Sequence, residues 1–181
     1  MNAHKGLLVI AQEGFDEEAF HYLSTALERA GIAIMTAAPS LDAATGARGD
    51  VVKPDLAIAQ VKPADWDVVV FLGGSGARAL ADEPAARDLA LGASAADRLV
   101  VGVDEGVLVL ALAGILGETR ATAPPAVAER VSAAGATLGP GPVERSNNLL
   151  TAYGRRALPL LRDAIVQAVA SKQRAKRPRR Q

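Results

Sequence analysis

The sequence predicts one α/β domain built on a doubly wound, mainly parallel sheet sandwiched by helices. Three observations predict it. Short runs that are apolar throughout, as strands covered on both faces must be, alternate with stretches whose apolar residues recur at helical spacing. The turns between them are short and rich in glycine and acidic residues, the pattern of consecutive strand–helix units. The chain has 181 residues, half of them hydrophobic, enough for one such core and too few for two.

The elements follow in order. Gly6 to Ala11 (G-L-L-V-I-A) is the first strand. After the acidic turn Glu13 to Glu17, Phe20, Leu23, Leu27 and Ala30 mark a helix that Gly31 ends. Ile32 to Ala38 is the second strand, and Pro39-Ser40 closes it. Thr45 to Pro54, with Gly46, Gly49 and Pro54 around Val51-Val52, reads as a small hairpin or loop excursion. Asp67 to Leu72 is the clearest buried strand and runs into Gly73-Gly74-Ser75-Gly76. A helix around Pro84 to Ala96 leads to the strand Leu99 to Val103, the turn Asp104-Glu105-Gly106 and the apolar helix Val107 to Ala113. Pro124-Pro125 opens a helix toward Ala134, ended by Gly135. Gly139 to Pro142 is a turn cluster, Leu149 to Ala152 a late strand, and Arg156 to Ala170 the last amphipathic helix. The domain is read as residues 1–170, followed by a basic disordered tail, 171–181. No repeat at solenoid spacing interrupts this order.

Composition excludes several function classes. With no cysteine in the chain, there is no disulfide framework, no thiolate metal site and no thiol nucleophile. His4 and His21 with scattered acids give no metal-ligand spacing, and neither a metal nor another cofactor is expected. The formal net charge is zero, but Lys172, Arg174, Lys176, Arg177, Arg179 and Arg180 crowd the last residues, so the body is acidic. Nucleic acid is therefore not expected as the main ligand, beyond weak binding through the tail. No run approaches the roughly 20 apolar residues of a membrane span, and the start has no signal-peptide pattern. The expected location is the cytoplasm.

In a doubly wound sheet the ligand crevice lies at the carboxyl ends of the strands. That rule selects the turns Gln12 to Glu18, Gly73 to Gly76 and Asp104 to Gly106. Gly73 to Gly76 is no phosphate loop, because it lacks the G-x-x-x-x-G-K-S/T spacing and its lysine; its amides suit an anion or oxyanion.

Five fragments carry a resemblance in order and approximate spacing: G-F-D-E-E; D-W-D-V-V-V-F-L-G-G-S-G; V-V-G-V-D-E-G-V-L-V-L-A-L-A-G-I-L-G-E-T-R-A-T; A-G-A-T-L; and N-N-L-L-T-A. Through them Lys5 to Ala170 resembles the DJ-1/PfpI (ThiJ) family, relatives of class I glutamine amidotransferases. The resemblance implies a flavodoxin-like fold, a homodimer and a nucleophile elbow with cysteine at its apex. Here the elbow reads Gly102-Val103-Asp104-Glu105-Gly106, so Asp104 stands at the nucleophile position. Counting from Phe15 and back from Gly31 places Ala19 where the family carries a glutamate that bonds the cysteine. Pro124 falls where a histidine is often found. The thiol-dependent glyoxalase, deglycase and peptidase activities that the resemblance would imply are not expected, since they need a thiolate.

The candidate catalytic residues are Asp104 and Glu105, and the candidate substrate-binding residues are Gly73, Gly74, Ser75, Ala19 and Tyr22. Asp104 suits a nucleophile or general acid/base acting on a small organic molecule by isomerase, cyclase or hydratase-like chemistry. The competing reading makes it a helix N-cap, in a non-catalytic protein that binds a ligand or partner in the inherited crevice. Glu105 is either the second carboxylate of a pair or charge in a first helical turn. Asp16, Glu17 and Glu18 either compensate for Ala19 or are ordinary acids at a helix start. His21 or Tyr22 faces the crevice through the space Ala19 leaves, or packs on the surface.

Overall fold

The computed structural model describes residues 4–176, with side chains through Lys172. The chain opens with β1 (His4–Val9), the short β2 (Glu13–Phe15) and α1 (Glu17–Arg29), then β3 (Ile32–Ala38). The expected hairpin is present as β4 (Ala44–Gly46) and β5 (Val51–Val52), paired antiparallel, with β2 added alongside β4. There follow β6 (Leu56–Ala57), β7 (Val68–Phe71), α2 (Ala77–Asp82), α3 (Pro84–Ala95), β8 (Leu99–Val103) and α4 (Val107–Leu112). The last part carries β9 (Arg120–Ala121), α5 (Pro125–Ala133), β10 (Thr137–Leu138), β11 (Val143–Ser146), β12 (Leu149–Ala152) and α6 (Leu158–Lys176).

Among the described residues seven strands form the main sheet, in the order β11-β12-β8-β7-β1-β3-β6. Every pair in it is parallel except β11 with β12. The chain leaves β1 toward β3 on one side and returns to place β7 on the other, which makes the carboxyl ends of β1 and β7 the topological switch point. The doubly wound α/β expectation is met.

Strand periodicity divides the core into two layers. Leu7, Val9, Val69, Phe71 and Val100 face one side, where Leu80, Leu89, Leu108 and Val127 from α2 to α5 cover them. Leu8, Ile10, Val68, Val70, Leu72, Val101 and Val103 face the other, against Phe20, Leu23 and Leu27 of α1 and Leu161, Ile165 and Val169 of α6. Because both faces are covered, β7 and β8 are buried at every residue, and their sequences are continuous apolar runs rather than alternating ones.

The structure adds the two-residue strands β6, β9 and β10, which the sequence reading did not expect, and differs from it in three larger places. The helix expected from Pro84 to Ala96 is α3 (Pro84–Ala95), but a further helix, α2, precedes it unexpectedly; Glu83 between them is extended, with φ −68° and ψ 118°, because proline disfavours helical backbone in the residue before it. The polar β11 escaped notice because it is an edge strand with no buried residue. The last helix runs on through Lys176 instead of yielding to a tail at Ser171. Lys172 extends from it to bond the carbonyl and the carboxylate of Asp97, at 2.8 Å for the latter. Good helix formers without an apolar face can continue a helix that is already docked. The rest of the expected tail, 177–181, lies outside the described residues.

Candidate active site

Val103 ends β8 in extended geometry, and the next residue, Asp104, has φ +49°. Left-handed backbone at a residue other than glycine costs on the order of 1–3 kcal/mol and persists only where its surroundings hold it. Here a 3₁₀ turn over Asp104–Gly106 leads directly into α4. The turn is tight against β7: a Cβ on Gly106 would collide with the Phe71 carbonyl oxygen. Only glycine permits that approach.

Asp104 is half-buried, and its Oδ1 accepts a 2.7 Å hydrogen bond from the backbone N–H of Gly154, just after β12. Burial pushes its carboxyl above the ordinary aspartate range; the Gly154 N–H opposes this, while Glu105 and Asp16 add to it. The second oxygen, Oδ2, has no hydrogen-bond partner among the described residues. Such a carboxyl is oriented by one backbone donor and can exchange a proton at its other oxygen.

The helix-cap reading of Asp104 does not fit this geometry. Neither the 3₁₀ turn nor α4 has a side-chain cap bond, and the carboxylate is turned toward Gly154 instead. Capping belongs to Asp16, whose Oδ1 accepts from the N–H groups of Glu18 (3.0 Å) and Ala19 (3.1 Å) at the start of α1.

Gly73 and Gly74 stand beside the elbow. A Cβ on Gly73 would lie 2.9 Å from the Asp104 Cβ and 3.0 Å from Glu105 Oε2, and the Gly74 N–H donates to that same Glu105 oxygen at 3.4 Å. The first crevice turn joins them through Asp16 N–H to the Gly73 carbonyl, 2.9 Å, and Gly76 N–H to the Gly14 carbonyl, 3.0 Å. The three turns selected from the sequence therefore meet at the carboxyl ends of β1, β7 and β8.

The remaining candidates lie differently. Ala19 is buried in the core layer that also holds Val103 and Ala152, so it offers a ligand no surface. Tyr22 packs against that layer and lines a groove of about 510 Å³ along α1, with Glu18, His21, Thr25, Ala26 and Arg29. His21 pairs with Asp50 at 2.7 Å and sets its ring edge-on against Phe20. Ser75 is exposed, donates to the Gly14 carbonyl at 3.4 Å and borders a second groove with Thr45, Gly46 and Ala47. Asp104 lines neither groove. Pro124 is buried at the start of α5.

Two residues that matter locally escaped the sequence reading, and a third, Glu17, has a role that reading did not assign to it. Gly154 holds Asp104. Arg155 pairs with Glu18 at 2.6 Å. Glu17 is buried and accepts the N–H groups of Arg48 (2.8 Å) and Asp50 (2.9 Å), tying the β4–β5 hairpin to α1. The crevice rule could have found the first two, since they follow the carboxyl end of a predicted strand. Among the described residues no group of three or more His, Asp or Glu side chains could hold a metal ion, and no helix is long and apolar enough to cross a membrane.

Comparison with known proteins agrees with this architecture. Protein dj-1beta of Drosophila melanogaster is 28% identical over 152 residues, spanning 83% of this chain and 81% of the relative. The crystal structure of a ThiJ/PfpI domain protein from Brachyspira murdochii superimposes with a TM-score of 0.90 at 27% identity, covering 94% of this chain and 99% of that one. The structure of Drosophila melanogaster DJ-1beta superimposes at 0.80 over 95% of this chain and 98% of that one; at 24% identity this likeness speaks for the fold alone. The model of the DJ-1/PfpI family matches residues 5–168. With nearly the whole domain matched, the chain belongs to the DJ-1/PfpI family.

Proposed function

We propose that this chain is a divergent DJ-1/PfpI protein in which Asp104 stands in place of the cysteine nucleophile. Its carboxyl group performs acid/base or nucleophilic chemistry on a small organic metabolite without a cofactor, in an isomerase, cyclase or hydratase-like reaction. One observation carries this reading: a half-buried carboxyl sits on left-handed backbone at the end of a central parallel strand, with its affinity for a proton raised by burial. Backbone strain and perturbed titratable groups cluster at functional positions, and their coincidence at Asp104, where three turns meet at the strand ends, supports this reading. The bland explanation, a helix cap, lacks the bond it needs.

Oδ1 is anchored by Gly154, so Oδ2 is the atom assigned to proton transfer. Gly73 and Gly74 border the reacting position. Glu105 is the second carboxylate in the crevice, and its proximity raises the proton affinity of Asp104.

The test is solvent deuterium incorporation into a panel of small hydroxycarbonyl and enolisable metabolites, followed by NMR with the wild type and Asp104→Asn. Exchange or conversion by the wild type, lowered by 10² to 10⁴ in the variant, is the expected result. Equal rates in both proteins overturn the carboxylate mechanism. Saturable binding of panel members without turnover would then favour the second reading, a non-catalytic ligand- or partner-binding protein, supported by the way Asp104 and Glu105 already bond to backbone N–H groups. A cytoplasmic homodimer belongs to both readings, and family membership supports the dimer. Light scattering that gives a monomer at micromolar concentration would count against it.

A further inference from the structure

Two backbone N–H groups at the elbow are engaged by the chain's own carboxylates. Gly154 N–H is taken by Asp104 Oδ1 at 2.7 Å. Gly74 N–H points to Glu105 Oε2 at 3.4 Å, and the same oxygen lies 3.0 Å from where a Gly73 side chain would begin. The Glu105 carboxylate thus lies over the Gly73–Gly74 peptide, close enough that a side chain on residue 73 would push it aside. A glycine turn with inward N–H groups is otherwise an anion-binding concavity.

We propose that Glu105 is a built-in anion that closes the Gly73–Gly74 turn to external carboxylates and phosphates. The crevice beside Asp104 therefore takes a ligand through its hydrogen-bond donors, hydroxyl or ammonium groups, rather than through an acidic group. This deepens the reading of the same crevice given above, and it makes Glu105 a specificity-determining residue. An incoming anion has to displace the Glu105 side chain from Gly74 while approaching Asp104 and Asp16. A hydroxyl or ammonium group meets acceptors in Asp104 Oδ2 and Glu105 and displaces nothing.

The experiment is an amide NMR titration of the full chain with sodium acetate and, separately, inorganic phosphate, at constant ionic strength. It compares the wild type, Glu105→Ala and Glu105→Gln. In the wild type the Gly73, Gly74 and Ser75 amides stay unmoved through tens of millimolar acetate. In Glu105→Ala they shift saturably, with affinity raised at least about tenfold, equivalent to about 1.4 kcal/mol. Glu105→Gln keeps the shape and an acceptor for Gly74 but loses the charge, so it falls between the two and guards against a folding artefact in the alanine variant. Wild-type binding of acetate as tight as that of Glu105→Ala, or no gain in either variant, overturns the inference. Its failure is separable from that of the carboxylate mechanism: anion binding reports on Glu105, whereas turnover of Asp104→Asn reports on Asp104.

Discussion

Asp104 Oδ1 and the backbone N–H of Gly154 are 2.7 Å apart and fifty residues distant in sequence. The bond ties the turn after β8 to the turn after β12, two parallel neighbours in register from Leu149–Val100 to Ala152–Val103. It also explains how a carboxyl can be both oriented and available, since one oxygen is anchored and the other is left for chemistry.

Asparagine can accept the Gly154 N–H and tolerates left-handed backbone at least as well as aspartate. Asp104→Asn is therefore expected to lose 10² to 10⁴ in rate while melting no lower than the wild type. Asp104→Ala leaves the Gly154 N–H unpartnered and should cost about 1–2 kcal/mol. The cause is that lost bond and not a lost helix cap. Calorimetry on the two variants separates the effects, and a wild-type melting temperature in Asp104→Ala would show that the bond contributes nothing.

The pH dependence of stability follows from the raised Asp104 pKa. The folded state holds the proton more tightly than the unfolded chain, whose aspartates titrate near 3.9. As pH rises from the unfolded value through the folded one, the native state has more protons to lose, so this group's contribution to stability falls. It is fully favourable below the unfolded pKa and exhausted above the folded one. The stability of Asp104→Asn relative to wild type should accordingly increase from acid toward neutral pH. Paired melting curves across that range check the sign, and a constant difference would mean that the group is not perturbed.

Close approach makes the two flanking glycines unequal. A Cβ on Gly106 meets the Phe71 carbonyl, which is backbone of a central strand and cannot move aside. Gly106→Ala should cost about 3 kcal/mol or more. On Gly73 the nearest atoms are farther off, the Val103 carbonyl oxygen and the Asp104 Cβ at 2.9 Å and Glu105 Oε2 at 3.0 Å, against 2.2 Å at Gly106, so Gly73→Ala should cost less, about 1–2 kcal/mol, and displace Glu105 from the Gly74 amide. Denaturant unfolding ranks the two. Equal stabilities would refute a ranking by the depth of the clash.

Glu17→Ala removes the acceptor for the Arg48 and Asp50 N–H groups. Arg48 and Asp50 are exposed, so water can replace part of what is lost, and each bond contributes about 1 kcal/mol. The expected outcome is faster hydrogen exchange at amides 48 and 50, with the main sheet unaffected, because the hairpin belongs to a separate three-stranded sheet. Glu17→Gln, which keeps an acceptor, should show a smaller change. Unaltered exchange in the alanine variant would show that the carboxylate does not hold the hairpin.

The apolar runs of β1, β3, β7 and β8 were legible because strands covered on both faces must be apolar at every residue, and the helices of α1 and α4 because their punctuation is local. The same locality made the turn after β8 visible and put Asp104 in the crevice by rule. Pairing across the fold was not legible. Nothing near Asp104 in sequence announces Gly154, and nothing near Glu105 announces Gly74, thirty-one residues away. Nor does the order of residues reveal that Asp104 takes left-handed backbone, in a turn that packs at Gly106 against Phe71. Burial periodicity and turn chemistry are properties of neighbouring residues, so the sequence by itself determined the fold and the location of the crevice. Which oxygen is anchored, which amide is filled and which aspartate caps a helix were decided only when the sheet brought distant turns within hydrogen-bond range.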